Sequence, residues 1–208
     1  MSARPLVVGL NGWGLLPGPN GREGIDAIGK GILAGINSHR IEGGLPAYTN
    51  GYVPLNGGDG VDQVKLRGLM ADYGADPADG LILVGYSDGA TTIHREFRKG
   101  FARESLKSAC LTFVALIDMV RERFSSPFVN LVSNKAIPLQ DAHLIRAGKV
   151  YYQNSGLWQG FAQIGPLESM RFEGVDHVTI DQSPLLLRAV IYDAVNAYRL
   201  HGPTAPRT

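Results

Sequence analysis

The sequence predicts an α/β protein with a doubly wound, mostly parallel sheet and helices on both of its faces. Strand-like and helix-like segments alternate along the chain, and this order is typical of such folds. Residues 111–118 are almost all apolar, which indicates a strand buried on both faces, as in a parallel sheet. No repeat or linker interrupts the 208 residues. We therefore predict one domain over residues 1–201 and a disordered tail over residues 202–208.

The predicted strands are short apolar runs that end at turn-forming residues. Residues 81–86 and 111–118 are the clearest, because nearly every side chain in them is apolar. A run of this length is too short for a helix that spans a domain. We expect strands at residues 6–10, 81–86, 111–118 and 149–153, and shorter ones at residues 39–41 and 169–172.

Helices are predicted from apolar residues at helical spacing and from capping residues. Four isoleucines recur at helical spacing between residues 25 and 36. Ser183 followed by Pro184 is a start signal for the last helix. The glycine-rich residues 43–58 are expected to be mostly loop. The predicted helices are residues 23–36, 59–73, 88–100, 139–147 and 183–198.

The composition excludes several classes of function. The formal net charge is +1 and there is no dense basic stripe, so we do not expect a nucleic-acid partner. No apolar run approaches the roughly 20 residues that span a bilayer, so stable membrane insertion is not expected. The first residues carry no recognisable export signal, and the predicted location is cytoplasmic. The sequence leaves the oligomeric state open.

Residues 81–90 place a serine between an apolar strand and a helix. The pattern Gly85-Tyr86-Ser87-Asp88-Gly89 follows the strand directly. A serine at such a sharp turn projects its hydroxyl into an open site, and flanking glycines remove side chains that would clash there. Ser87 is therefore our candidate nucleophile. The alternative is that Ser87 only caps the following helix.

A serine nucleophile needs a histidine base, and His177 is our candidate. It lies in a loop between the last strand and the last helix, downstream of Ser87 and at the carboxyl end of the sheet. His94 follows Ser87 within the same helix and cannot fold back onto its hydroxyl. The alternative is that His177 is an ordinary surface histidine.

The base in turn needs a carboxylate, and Asp118 is our candidate. It follows five apolar residues directly, and a carboxylate at such a place is costly unless it has a partner. Asp141 is the second choice, although it more readily caps a helix. Asp181 is the best alternative close to His177, although it more readily helps to start the last helix.

Two backbone N–H groups are needed to bind the oxyanion of an acyl transition state. One is expected from Asp88, the residue after the nucleophile. The other is expected from the loop after the first strand, and we select the N–H group of Trp13.

Together these residues resemble the α/β-hydrolase superfamily. Leu10-Asn11-Gly12-Trp13-Gly14 is similar to its oxyanion-loop motif, in which a histidine is common at the place of Asn11. An acid directly after the strand that follows the nucleophile strand is similar to the thioesterase branch. The resemblance implies a small, lid-poor bacterial member of lipase or thioesterase type. Residues 119–148, where a cap usually enters, are too few for a large one, so a minimal fold is expected.

The predicted activity is that of a serine hydrolase. It would cleave a small-molecule carboxylic ester or thioester through an acyl-enzyme intermediate, with no cofactor and no metal. Phe124, Trp158 and Phe161 are expected to contact the substrate. Two alternatives stay open: an acyltransferase that uses the same three side chains, and a non-catalytic protein that uses the α/β-hydrolase fold for binding.

Overall fold

The computed structural model of the chain describes residues 6–12, 20–58, 60–77, 80–119, 136–155 and 160–202. Its strands are β1 (Val7–Asn11), β2 (Tyr52–Asn56), β3 (Ile82–Tyr86), β4 (Phe113–Ile117), β5 (Gly148–Tyr152) and β6 (Glu168–Arg171). They form one parallel sheet in the order β2-β1-β3-β4-β5-β6. The predicted parallel α/β fold is therefore confirmed.

Helices cover both faces of this sheet. The described helices are α1 (Asn20–Glu42), α2 (Gly60–Ala75), α3 (Asp88–Arg98), α4 (Phe101–Leu106) and α5 (Pro184–His201). Apolar residues of α1 and α5 pack on one face, and those of α2, α3 and α4 pack on the other. None of these helices is both long enough and apolar enough to cross a membrane. The sheet is thus buried on both faces, as its continuous apolar strands require.

The order of the strands reverses at β1. β2 lies on one side of β1, while β3 and every later strand lie on the other side. In open α/β sheets, ligands bind beyond the carboxyl ends of the strands at such a reversal. This rule predicts a ligand site beyond Asn11 and Tyr86, the last residues of β1 and β3.

The prediction for residues 39–58 is wrong in two places. Residues 39–41 are not a strand, because α1 continues to Glu42. Buried Arg40 fixes this extension by donating hydrogen bonds to the Tyr198 hydroxyl of α5 and to the Pro46 carbonyl. The expected loop contains β2, an edge strand in which only Leu55 is fully buried. As an edge strand, β2 does not have the continuous apolar run from which the central strands were predicted. Proline is tolerated in edge strands, which explains Pro54.

Two further differences concern helices. Residues 139–147 hold only a single 3₁₀ turn (Ala142–Leu144), because the backbone of residues 144–146 hydrogen-bonds with Leu111 instead. The helix predicted for residues 88–100 ends at Arg98, and Gly100 at φ 75° leads into the unpredicted α4. The remaining elements lie within about three residues of their predicted bounds, as is usual for element ends.

An ion pair joins α3, the helix that follows Ser87, to α2. The Glu96 carboxylate accepts from Arg67 Nε at 2.6 Å and from Arg67 Nη2 at 3.0 Å. The Glu96 side chain is 1% exposed, whereas that of Arg67 is 34% exposed. This hydrogen bond raises the pKa of the Arg67 guanidinium. Among the described residues, Arg67 is thus the partner that pairs with the buried Glu96 carboxylate.

We expect Arg67→Ala to lower the free energy of unfolding by about 3 kcal/mol, because it leaves the Glu96 carboxylate buried and unpaired. Urea unfolding measures the loss. The double variant Arg67→Ala/Glu96→Leu is the control and should recover most of it, since it removes the buried charge as well. A loss under about 0.5 kcal/mol in the single variant would contradict this account.

Candidate active site

Ser87 stands at a sharp turn between β3 and α3. Its backbone has φ 53° and ψ −116°, a conformation that a non-glycine residue rarely adopts. A Cβ atom on Gly89 would overlap the Leu10 carbonyl, and one on Gly85 would lie 2.7 Å from the Ala90 nitrogen. The Ser87 side chain makes no capping hydrogen bond to α3. The two glycines are thus explained by the close approach of α3 to the strand ends, and the hydroxyl of Ser87 is directed elsewhere.

The structure brings Ser87, His177 and Asp118 together in one chain of hydrogen bonds. Ser87 Oγ lies 2.9 Å from His177 Nε2, and His177 Nδ1 lies 2.6 Å from Asp118 Oδ2. A carboxylate accepts only, so Nδ1 carries the proton that it donates to Asp118. Nε2 is then the acceptor for the Ser87 hydroxyl. This arrangement can withdraw a proton from Ser87 and hold the resulting imidazolium beside a negative charge.

Asp118 is fully buried at the end of β4 and is held from several sides. Gln153 Nε2 donates to Asp118 Oδ2 at 3.0 Å, and the Gln153 backbone N–H donates to Oδ1 at 3.3 Å. Gln153 Oε1 accepts from the Ser155 N–H at 2.6 Å, which fixes the orientation of the amide. A Cβ atom on Gly160 would overlap Asp118 Oδ1. The carboxylate is therefore tightly enclosed and its orientation is fixed.

Gln153 was not a predicted site residue. Its signal in the sequence is weak: it is the first of three polar residues that follow β5, the strand next to β4. Adjacent parallel strands bring their carboxyl ends together, so a polar residue after β5 can meet Asp118. Strand order, which the sequence does not specify, is needed to make that inference.

His177 lies in a turn whose shape is fixed by Asp176. Asp176 Oδ1 accepts from the Val178 N–H, the Thr179 N–H and the Thr179 hydroxyl at 2.8–3.0 Å. The hydrogen bond from the Thr179 side chain, followed by those from the backbone, lowers the pKa of Asp176. Asp176 therefore fixes the shape of the turn that carries His177.

Asp141 and His94, two of the alternatives, contact other parts of the chain. Asp141 lies 3.5 Å from Arg103 Nε, and His94 Nε2 contacts the Pro138 carbonyl at 2.9 Å. Asp181 was also expected to help start the last helix, and this expectation is wrong. Ser183 caps α5 instead, because its hydroxyl accepts from the Leu186 N–H at the first turn.

The predicted oxyanion and substrate residues are described only in part. Asp88 is the first residue of α3, so its N–H lies at the positive end of the helix. Trp13, Phe124 and Trp158 lie outside the described residues. Gly12 precedes Trp13, and a Cβ atom on it would lie 3.0 Å from Ser87 Cβ, so the loop after β1 begins against the turn at Ser87. Phe161 is 7% exposed and packs in the core on the α2–α4 face of the sheet.

Within the described residues, no three His, Cys, Asp or Glu side chains are arranged to hold a metal ion. The chemistry that the described side chains offer is that of a hydroxyl, an imidazole and a carboxylate in line.

Comparison with known proteins yields structural similarity only. No protein-family model matches the sequence, and no curated protein matches it. An esterase from Pyrobaculum calidifontis has a similar solved structure, with a TM-score of 0.53 and 14% identity over 95% of this chain and 77% of that chain. A cutinase-like protein from Cryptococcus sp. aligns with a TM-score of 0.44 and 16% identity over 98% of both chains. The first similarity supports the α/β-hydrolase type of fold.

A second carboxylate, that of Asp181, lies near His177. Asp181 is 1% exposed, and its Oδ2 atom makes no hydrogen bond to any described residue. The first turns of α1 cover it, since a Cβ atom on Gly24 would lie 2.7 Å from that oxygen. Burial raises the pKa of Asp181 to about 6, although a hydrogen bond from its own backbone N–H and the charge of His177 act in the opposite direction. The folded chain therefore holds this proton more tightly than the unfolded chain does.

We expect Asp181→Asn to stabilise the fold at pH 8 and to have little effect at pH 4. The unfolded chain loses the Asp181 proton near pH 4, whereas the folded chain keeps it until about pH 6. Stability therefore falls as the pH rises through this interval, by on the order of 2 kcal/mol, and the cost persists at higher pH. Thermal unfolding at both pH values measures it.

Asp176→Asn is the matched control, because the pKa of Asp176 is lowered by folding rather than raised. Its effect should have the opposite sign: a loss of stability at pH 8 that disappears at low pH. If Asp181→Asn shifted the melting temperature equally at both pH values, its carboxyl group would not have a raised pKa in the folded chain.

Proposed function

We propose that this protein is a serine hydrolase that cleaves a carboxylic ester or thioester through an acyl-enzyme intermediate. The hydrogen-bonded chain from Ser87 through His177 to Asp118 carries the proposal. It lies at the carboxyl edge of the sheet, where this class of fold binds its ligands. Separate elements supply the three residues, so no single turn or helix cap accounts for their meeting.

In the proposed reaction, His177 Nε2 takes the proton of the Ser87 hydroxyl while Oγ attacks the acyl carbonyl carbon. The imidazolium then protonates the leaving alcohol or thiol, and the acyl group stays on Ser87. Water, deprotonated by His177, attacks this acyl-enzyme. The bond between the acyl carbon and Ser87 Oγ then breaks, the imidazolium returns the proton to Oγ, and the acid is released. Asp118 stays ionised throughout and keeps the proton of the neutral imidazole on Nδ1.

The oxyanion is proposed to bind at the N–H groups of Asp88 and Trp13. Asp88 supports this role because its amide lies at the N-terminus of α3, next to the attacking oxygen. The role of Trp13 rests on the approach of Gly12 to Ser87. Phe124 and Trp158 are proposed to contact the acyl chain. Phe161 is proposed to support that site from the core, because its side chain is buried.

Cleavage of an ester or thioester requires no step that the three side chains cannot perform. Acyl transfer from oxygen or sulfur needs a nucleophile, a base and oxyanion donors, and the proposal supplies each. The similar structure from Pyrobaculum calidifontis is an esterase, so the same type of fold supports ester cleavage there. At 14% identity this agreement concerns the fold, and the proposal rests on the residues.

We expect Ser87→Ala and His177→Ala each to lower kcat for p-nitrophenyl ester hydrolysis by at least about 10⁴-fold. Each substitution removes a side chain that takes part in the transition state, either the attacking oxygen of Ser87 or the base that accepts its proton. Esters from acetate to palmitate would be assayed, and circular dichroism would verify the fold of each variant. His94→Ala is the matched control, because His94 lies in α3 but contacts Pro138, and it should keep near wild-type kcat.

Labelling of the wild type with a fluorophosphonate distinguishes the alternatives. Labelling of Ser87 together with ester turnover supports the hydrolase. Labelling without turnover favours an acyltransferase that needs an acceptor other than water. A folded protein that shows neither would contradict the proposal and favour a binding protein.

We expect Gln153→Met to lower kcat roughly tenfold and to leave KM unchanged, because Asp118 loses a donor and gains freedom to rotate. Methionine keeps the length of the side chain without its amide. Gln163→Met, an exposed substitution of the same kind, is the control. If both variants changed kcat equally, or if Gln153→Met raised KM alone, Gln153 would not position Asp118.

A further inference from the structure

Tyr86 occupies the variable position directly before the nucleophile, and the sequence pattern assigns no role to it. It is the last residue of β3 and is 7% exposed. Its side chain lies on the α1–α5 face of the sheet, whereas Ser87 begins the turn that leads into α3. Tyr86 is therefore fixed to the same strand end that carries Ser87.

Tyr86 contacts His177 in two independent ways. Its hydroxyl donates a hydrogen bond to the backbone carbonyl of His177. Its ring stacks on the imidazole, with 5.5 Å between ring centroids and 29° between ring planes. One contact restrains the backbone of the histidine turn, and the other restrains the plane of the imidazole.

The phenol of Tyr86 remains a donor at every pH of interest. Burial raises the pKa of Tyr86 far above its ordinary value, and the negative charges of Asp181, Asp118 and Asp176 raise it further. A protonated phenol can donate to a carbonyl, whereas a phenolate cannot. The contact with the His177 carbonyl therefore persists throughout the range in which a histidine base is active.

The contacts that Asp176 and Asp118 make with the histidine turn differ in kind from those of Tyr86. The hydrogen bonds of Asp176 are local, since they join it to Val178 and Thr179, so they fix the shape of the turn. Asp118 holds one ring nitrogen, which lets the imidazole pivot about that atom. A stacked ring resists such pivoting, and a bond to strand β3 keeps Nε2 within reach of Ser87.

We propose that Tyr86 is a positioning residue that holds His177 against Ser87 through its hydroxyl and its ring. This inference rests on the proposed hydrolase function. Misplacement of a catalytic group by a fraction of an ångström lowers the rate of the chemical step more than it affects substrate binding. Loss of Tyr86 contacts should therefore lower kcat and spare KM.

The test compares Tyr86→Phe with Tyr73→Phe. Tyr73 is 8% exposed, and its hydroxyl donates to the Cys110 carbonyl at 2.8 Å. Cys110 precedes β4, so this contact lies at the amino ends of the strands, away from Ser87. Both substitutions remove a buried phenol hydroxyl from a backbone carbonyl. We expect Tyr86→Phe to lower kcat for the best p-nitrophenyl ester by roughly tenfold, with KM within about twofold. Tyr73→Phe should keep kcat within about twofold.

Tyr86→Leu removes the ring as well and should lower kcat further than Tyr86→Phe does. Denaturant unfolding of all three variants separates positioning from lost stability. If Tyr86→Phe and Tyr73→Phe lose stability alike and also keep kcat alike, the inference is overturned.

The positioning role of Tyr86 can also be tested by NMR, without measuring turnover. The proton between His177 Nδ1 and Asp118 gives a low-field NMR resonance when the imidazole is held in place. We expect this resonance to broaden or vanish in Tyr86→Phe and to persist in Tyr73→Phe. An unaltered resonance in Tyr86→Phe would overturn the inference. A wild type that shows the resonance but neither hydrolyses esters nor labels at Ser87 would contradict the hydrolase function alone.

Discussion

The close approach of α3 to the ends of β1 and β3 is the constraint on which the candidate site depends. Gly89 packs against the Leu10 carbonyl and Gly85 against the start of α3, at distances that leave no room for a side chain. Gly57, just after β2, comes equally close to the backbone of Gly89. Any larger residue at these positions would move α3 away from the sheet. The turn that carries Ser87 is therefore shaped by backbone contacts from three segments.

Asp118 and Asp181 are two buried carboxylates near His177, and they differ in the hydrogen-bond partners that stabilise them. Asp118 accepts hydrogen bonds from His177 and Gln153, so its negative charge is compensated where it is buried. Asp181 is buried as deeply, but its Oδ2 atom has no partner among the described residues, and its pKa is raised to about 6. Burial of an uncompensated carboxyl group costs stability. Such costs concentrate near functional sites, where the arrangement of charges matters more than the stability of the fold.

The sequence was informative where one local pattern determines structure. The apolar runs of β3 and β4 predicted their strands, and Gly-x-Ser-x-Gly predicted the turn at Ser87. It was uninformative where a partner lies far along the chain. The last turns of α1 depend on Arg40 meeting Tyr198, and β2 is an edge strand that has no need of an apolar run. Gln153 meets Asp118 only because β5 lies beside β4, and Tyr86 meets His177 only because the last loop returns to β3. The order of the strands is the information that sequence patterns lacked.

The register of the sheet explains how two members of the candidate site are held, whereas the third is held by a loop. Tyr86 of β3 pairs with Ile117 of β4, so the next residues, Ser87 and Asp118, emerge side by side. Both have positive φ, and both are held by the ladder: Ser87 N–H donates to the Ile117 carbonyl, and Asp118 N–H to the Tyr151 carbonyl. Strain at these positions is thus offset by the sheet itself. His177 has no place in the ladder, because it comes from a loop. The position of His177 therefore depends on the contacts that hold this loop, and the hydroxyl and ring of Tyr86 in β3 make two of them.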